Sequence, residues 1–179
     1  MASQDLYRYS RGKGSLTGLY CFLTHPGFRF MTFFRLCKRY SKYNPIGLIG
    51  RIWLKRLSIK FGFQIPHRTQ IGKGFFLGHF GNIVINQDAI INNIAKVAQG
   101  VTIGQVNRGE KQGSPAIGSR VWIGANAVIV GKIIVGSDVL IAPLSFVNFD
   151  VPDNAVVIGN PAKIVSHEGS KNYINNLGE

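Results

Sequence analysis

Histidine is the side chain that most readily takes or gives a proton near neutral pH, because its ordinary pKa lies there. This chain of 179 residues has four: His25, His67, His79 and His167. His25 lies in the turn Thr24-His25-Pro26-Gly27, and His167 lies near the C-terminus. His79 has small neighbours, Gly78 and Gly81, so a substrate could approach its ring closely. It is the candidate general base for drawing a proton from an attacking group. The plain alternative is an exposed surface histidine. His67 reads as structural. The two cysteines, Cys21 and Cys37, make neither a disulfide framework nor a metal cluster. They predict reduced thiols in a cytosolic protein, and no metal site is expected.

A repeat must position these side chains. From Ile65, steps of six land on Ile71, Leu77, Ile83, Ala89, Ala95 and Val101. After an interruption the count resumes at Ile117 and runs through Ile123, Ile129, Val135, Ile141 and Val147. Period six matches neither a helix nor a half-buried strand. It matches an all-β solenoid whose short flat faces each send one aliphatic residue inward, with coils stacked because none can bury its apolar side alone. Small residues often follow the aliphatic one, as at Gly72, Gly78, Gly118, Gly124, Gly136 and Ala142, and suit corners between faces. A β-sandwich rarely keeps one spacing for so long. His67 and His79 both take the third position of a repeat, twelve residues apart, and so fall on different faces.

The charge is uneven. Residues 1–62 carry twelve Lys and Arg against one acid, Asp5, while residues 63–179 carry nine basic and seven acidic residues. The basic segment points to an anionic partner. Residues 1–26 read as a poorly patterned arm. A basic amphipathic helix is expected over residues 28–43, with Phe30, Phe33, Phe34 and Cys37 on one face. A second is expected over residues 46–60, with Ile49, Ile52, Trp53 and Leu57 on one side. Two readings stand side by side: the helices cap the first coil, or residues 28–60 lie on the inner face of the cytoplasmic membrane. The aromatics sit at helical core spacing and not on a stacking platform, which argues against nucleic acid. The first fifteen residues lack a leader pattern, and no run of eighteen apolar residues exists, so a cytoplasmic protein is expected. The organisation predicted is a basic helical region over 1–63, a β-helix over 64–165 with a projecting loop over 104–116, and a tail over 166–179.

The interruption is polar and Gly-rich, running Gly104-Gln105-Val106-Asn107-Arg108-Gly109-Glu110-Lys111-Gln112-Gly113-Ser114-Pro115. It cannot continue an apolar stack, so it must project, and loops on a rigid scaffold are where function concentrates.

Four stretches together resemble the serine acetyltransferase family: the hexapeptide pattern, Leu77-Gly78-His79-Phe80-Gly81-Asn82-Ile83-Val84-Ile85, Val101-Thr102-Ile103-Gly104, and the closing run from Pro152 to Val165. With Pro26-Gly27-Phe28-Arg29-Phe30-Met31-Thr32-Phe33-Phe34-Arg35-Leu36-Cys37 added, the likeness is nearest to the short members encoded with bacterial capsule and exopolysaccharide biosynthesis. The resemblance implies a left-handed parallel β-helix, a homotrimer with active sites between subunits, and acetyl-CoA as co-substrate. It implies that His79 is the catalytic base and that Gly104, Gly124, Ala125, Ala142 and Lys163 contact the donor. The polar loop suggests Asn107, Arg108, Glu110 and Lys111 for the acceptor.

Two departures stand out. The serine-specific enzymes carry Asp directly before the catalytic His, where this chain has Gly78. They carry a second His just before the loop proline, where this chain has Ser114-Pro115. The expected function is therefore O-acetylation of a hydroxyl on a capsular or exopolysaccharide or its lipid-linked precursor. Serine O-acetylation for cysteine synthesis and a non-enzymatic trimeric scaffold are the alternatives.

Overall fold

A computed structural model describes residues 2–10 and 15–176 of the chain. Four helices come first: α1 (Ala2–Tyr9), α2 (Ser15–Thr24), α3 (Pro26–Arg39) and α4 (Pro45–Phe61). The irregular arm expected over residues 1–26 is thus corrected. Helices this short are marginal alone, and tertiary packing holds them. The Tyr9 ring lies 5.4 Å from Phe28 and 4.5 Å from Phe76, and Cys21 is fully buried. Arg11 and Lys13, which belong to the basic count, lie outside the described residues.

Local signals set the two longer helices. Pro26 and Pro45 occupy first-turn positions, where a missing N–H costs nothing. Asn44 caps α4 by accepting from the Ile46 N–H at 2.9 Å, and Gly62 ends it with φ at 71°. Phe30, Met31 and Phe34 are fully buried in the same core as Phe63, Ile71 and Leu77, so α3 closes the first coil. Gly27 lets it do so, since a Cβ there would strike the Leu77 carbonyl.

α4 turns differently from the expected face. Its buried stripe is Gly47, Gly50, Leu54 and Leu57, whereas Ile49, Ile52 and Trp53 are 44–54 % exposed. The glycines bring α4 close to α3: a Cβ on Gly50 would sit 3.4 Å from the Leu36 Cβ. Arg51 donates to the Tyr40 carbonyl at 3.1 Å and satisfies the end of α3.

The solenoid has three faces. The first holds β1 (Phe63–Gln64), β4 (Ile83–Ile85), β7 (Thr102–Gly104), β10 (Val128–Val130) and β13 (Phe146–Val147). The second holds β2 (Gln70–Ile71), β5 (Ile90–Ile91), β8 (Ala116–Ile117) and β11 (Ile134–Val135). The third holds β3 (Phe76–Leu77), β6 (Lys96–Val97), β9 (Trp122–Ile123), β12 (Leu140–Ile141) and β14 (Val156–Gly159), with β15 (Ala162–Ser166) returning antiparallel on β14. All other pairings within these sheets are parallel. The thirteen repeat positions are all buried, as the period predicts. The third face is covered by the chain's end, where the Tyr173 ring lies 4.9 Å from Trp122 and Lys96 donates to the Tyr173 carbonyl.

The repeat slips between β3 and β4. Ile85 and Ile103 are partners on the first face, and Ile91 and Val97 face inward on the other two. The strand frame after β3 is therefore Ile85, Ile91, Val97 and Ile103, two residues beyond the frame Ile83, Ala89, Ala95 and Val101. Both frames are buried, so the period alone could not separate them.

One ion pair ties the helices to the first coil. Arg35 donates to Asp5 at 2.8 and 3.2 Å and to the Ile71 carbonyl at 2.6 Å. Asp5 also accepts from the Gly74 N–H at 2.8 Å. Both side chains are buried. Removing one partner of such a pair strands the other's charge. Asp5→Ala is expected to lower stability by about 3–5 kcal/mol, read as a drop in the denaturation midpoint. An unchanged midpoint would refute this role for the pair.

Candidate active site

The inward residues of the third face stack in register as Leu77, Val97, Ile123, Ile141 and Val157. The residues two places later are His79, Gln99, Ala125, Pro143 and Gly159. They follow one edge of the solenoid, where the third face turns into the first. Backbone bonds join this edge from coil to coil: Gly100 N–H to Gly81 O at 3.0 Å, Asn126 N–H to Gln99 O at 3.0 Å, and Leu144 N–H to Ala125 O at 2.9 Å. Coils spaced about 4.8 Å apart put Pro143 about 15 Å from His79 along it.

The slip in the repeat falls on the His79 corner. From Leu77 to Ile85 is eight residues, while Val97 to Ile103, Ile123 to Ile129 and Ile141 to Val147 are each six. Two extra residues push this corner outward. Gly81 at φ 111° and Asn82 at φ 49° make the sharper turn. His79 is exposed, and no side chain among the described residues bonds its ring. Phe80 beside it is 61 % exposed, with its ring 5.9 Å from Phe61. Gly78 is explained by packing: a Cβ there would come within 2.8 Å of the Phe76 ring edge, and that ring is held by Tyr9. A carboxylate directly before His79 has no room unless Phe76 moves.

Of the residues expected to contact a donor, Gly124, Ala125 and Ala142 lie on the His79 edge. Lys163 stands opposite Ile158 at the far end of that edge. Gly104 does not join them: it pairs with Val130 at the other margin of the first face. The residues missed in the sequence are Gln99 and Pro143, the steric equivalents of His79 one and three coils on. Reading every third repeat as one column would have found them.

The loop leaves that other margin. Val106 and Gly113 bridge across its base, and the Lys132 N–H donates to the Lys111 carbonyl at 2.9 Å. Lys111 is folded down to donate to the Asn148 carbonyl, and Asn107 accepts from Gln105 at 2.7 Å. Ser114 donates to Asn86 at 3.2 Å, so the residue that replaces a second histidine stitches the loop to the coil. Arg108 and Glu110, at the tip, make no hydrogen bond or ion pair among the described residues. Within one chain the loop and His79 are therefore not brought together; the width of the first face separates them. Two clefts, of about 1010 and 760 Å³, lie beside α3 with β2 and β5, and beside α4 with β1 and β4; neither is lined by His79.

Comparison with known proteins fits this geometry. A family description, bacterial transferase hexapeptide (six repeats), matches residues 114–148. The soybean serine acetyltransferase apoenzyme superposes with a TM-score of 0.74 at 30 % identity, over 92 % of this chain and 67 % of that one. The chain belongs to the hexapeptide-repeat acyltransferases. It has their left-handed parallel β-helix. A serine acetyltransferase structure in complex with CoA matches with a TM-score of 0.73 and 29 % identity, over 92 % of this chain and 68 % of that one. The serine acetyltransferase of Synechococcus elongatus is 28 % identical over 162 residues, which is 90 % of this chain and 66 % of the relative. This hexapeptide-repeat acyltransferase spans between 31 and 66 % of the length of the first curated relatives it matches. The relatives are serine acetyltransferases, which corrects the expected affinity to capsule and exopolysaccharide members. That expectation rested on the stretch from Pro26 to Cys37, most of which packs as the cap that a solenoid end requires.

The other solenoid histidine, His67, lies among cations. Burial holds the His67 pKa below its ordinary value, and the cations Arg51, Arg68 and Lys38 lower it further. The folded state therefore resists protonating it. Its contribution to stability is complete above about pH 6.5 and is lost as pH falls through the unfolded and then the folded pKa. Titration by NMR is expected to place the His67 midpoint below the ordinary histidine value. A midpoint above that value would overturn the assignment.

Proposed function

We propose that the chain is an acetyl-CoA-dependent O-acetyltransferase, with His79 as general base and the hydroxyl of serine as acceptor. The observation that carries this reading is the edge itself. A corner lengthened by two residues holds an exposed imidazole, and the residues Gly124, Ala125 and Ala142 on the same edge are small. An extended thiol ester needs such a smooth track, and the base must stand at its end. The serine acceptor is supported by the relatives. It is also supported by the loop tip: a guanidinium at Arg108 suits a carboxylate, and a carboxylate at Glu110 suits an ammonium.

His79 takes the proton from the acceptor hydroxyl as its oxygen forms the bond to the thioester carbonyl carbon. The tetrahedral centre then collapses, the carbon–sulfur bond breaks, and the imidazolium returns the proton to the departing sulfur. The donor supplies an activated acyl group, and no other reactant is needed. Because the loop and His79 sit on opposite margins of the first face, the reading requires a homotrimer in which one subunit's loop reaches the next subunit's His79. Gly104, at the loop base, then serves the donor of the neighbouring site, and Lys163 the phosphates at the far end. A second reading, a bulkier alcohol such as a sugar hydroxyl, is favoured by one observation: Ser114 is tied to Asn86 and supplies no second base.

His79→Ala is expected to lower turnover with acetyl-CoA and serine by about 10²–10⁴-fold with the denaturation midpoint unchanged. Full activity in the variant would move the base elsewhere. Replacing residues 107–112 by a Gly-Ser linker is expected to abolish acceptor use and to keep CoA binding in calorimetry. Equal loss of both would assign the loop to the donor. Turnover on oligosaccharides with none on free serine would replace the first reading with the second.

A further inference from the structure

The helical layer presents an apolar face that no described residue covers. α2 has no charged residue, and it exposes Leu16, Leu19, Tyr20 and Leu23 at 81, 56, 63 and 62 %. Spacings of three, four and seven make a stripe that a soluble helix ordinarily turns inward. α4 exposes Leu48, Ile49, Ile52, Trp53 and Ile59. Aromatic rings join the two stripes. Phe22 of α2 lies 5.9 Å from Phe33 of α3, and Phe33 stacks at 5.9 Å on Trp53 of α4.

The same helical layer carries exposed cations. Lys38, Arg39, Lys42, Lys55, Arg56 and Lys60 are exposed, with the Arg56 guanidinium 5.8 Å over the Trp53 ring. The sole acid of residues 1–62, Asp5, is buried on Arg35. The described part of this segment therefore offers no exposed carboxylate at all.

We propose that this face docks on an anionic lipid bilayer, with the α2 and α4 aliphatics entering the acyl boundary and the cations resting on lipid phosphates. Apolar stripe, interfacial Trp and Tyr, and exposed cations are the three features that such contact needs. A second copy on the same face would set like charges against each other with no acid to offset them. Nucleic acid would use the cations but leave the leucines and isoleucines in water. The surface differs from the one expected at residues 28–60. Phe30 and Phe34 belong to the core, and the uncharged stripe of α2 takes their place. Among the described residues no helix is long and apolar enough to cross a membrane, so the contact is peripheral. The proposal stands on this surface alone and does not depend on the acetyl acceptor.

The test is sedimentation of the full chain with phosphatidylcholine vesicles and with mixed phosphatidylcholine–phosphatidylglycerol vesicles. Binding to the mixed vesicles at low salt is expected, weaker by about tenfold or more on phosphatidylcholine alone and falling with added salt. Two variants act on exposed positions, with folding checked by circular dichroism. Leu19→Ser with Leu23→Ser, and Lys55→Gln with Arg56→Gln and Lys60→Gln, should each weaken binding by about tenfold. A wild-type chain that stays in the supernatant with mixed vesicles, or that binds both vesicles equally, overturns the proposal. So does a change in solution mass caused by the leucine variant without vesicles, because the face would then be a contact between copies.

Discussion

Every coil of this molecule hangs on the backbone of the coil before it. The strand-to-strand hydrogen bonds run between coils, so no coil can form its faces alone. The corners show how strict the stacking is. Ile94, Arg120, Asp138 and Leu144 all hold φ between 55 and 63°, a region that costs a side chain about 1 kcal/mol each. They tolerate it because the preceding coil satisfies their backbone: Ile94 N–H reaches Lys73 O at 2.7 Å, and Asp138 N–H reaches Ser119 O at 2.8 Å. Register in one coil is thus inherited by the next.

That strictness makes departures from it meaningful. A residue added at a corner cannot be absorbed by the strands, so it must bulge outward. Two departures add residues: two at His79, and the long insertion between β7 and β8. The two lie on opposite margins of the same face. An exposed histidine raised from one margin and a polar loop raised from the other leave a trough whose remaining wall a second subunit can supply.

The helical layer meets two demands with different residues. Its buried side, Phe30, Met31, Phe34, Leu54 and Leu57, closes the apolar mouth of the first coil. Its outer side keeps leucines and isoleucines among cations. The Asp5–Arg35 pair matters to both, because it anchors α1 to the coil and removes the segment's one acid from the surface.

Much of this was legible in the sequence. Period six required a stacked solenoid, since one aliphatic residue per six can be buried in no simpler way, and the polar insertion had to project. His79 stood out by its small neighbours. The frame slip at His79 was not legible, because Ile83, Ala89, Ala95 and Val101 are as buried as Ile85, Ile91, Val97 and Ile103. Only pairing between coils decides which set lies in the strands. The buried face of α4 was likewise not legible, because its most apolar stripe, Ile49, Ile52 and Trp53, is the one left outside. Gly47 and Gly50 settled it by allowing a close approach to α3. The sequence by itself determined which residues are apolar and how often they recur. Tertiary structure alone decided which of them meet, because contact between residues far apart in the chain depends on coil register and helix rotation.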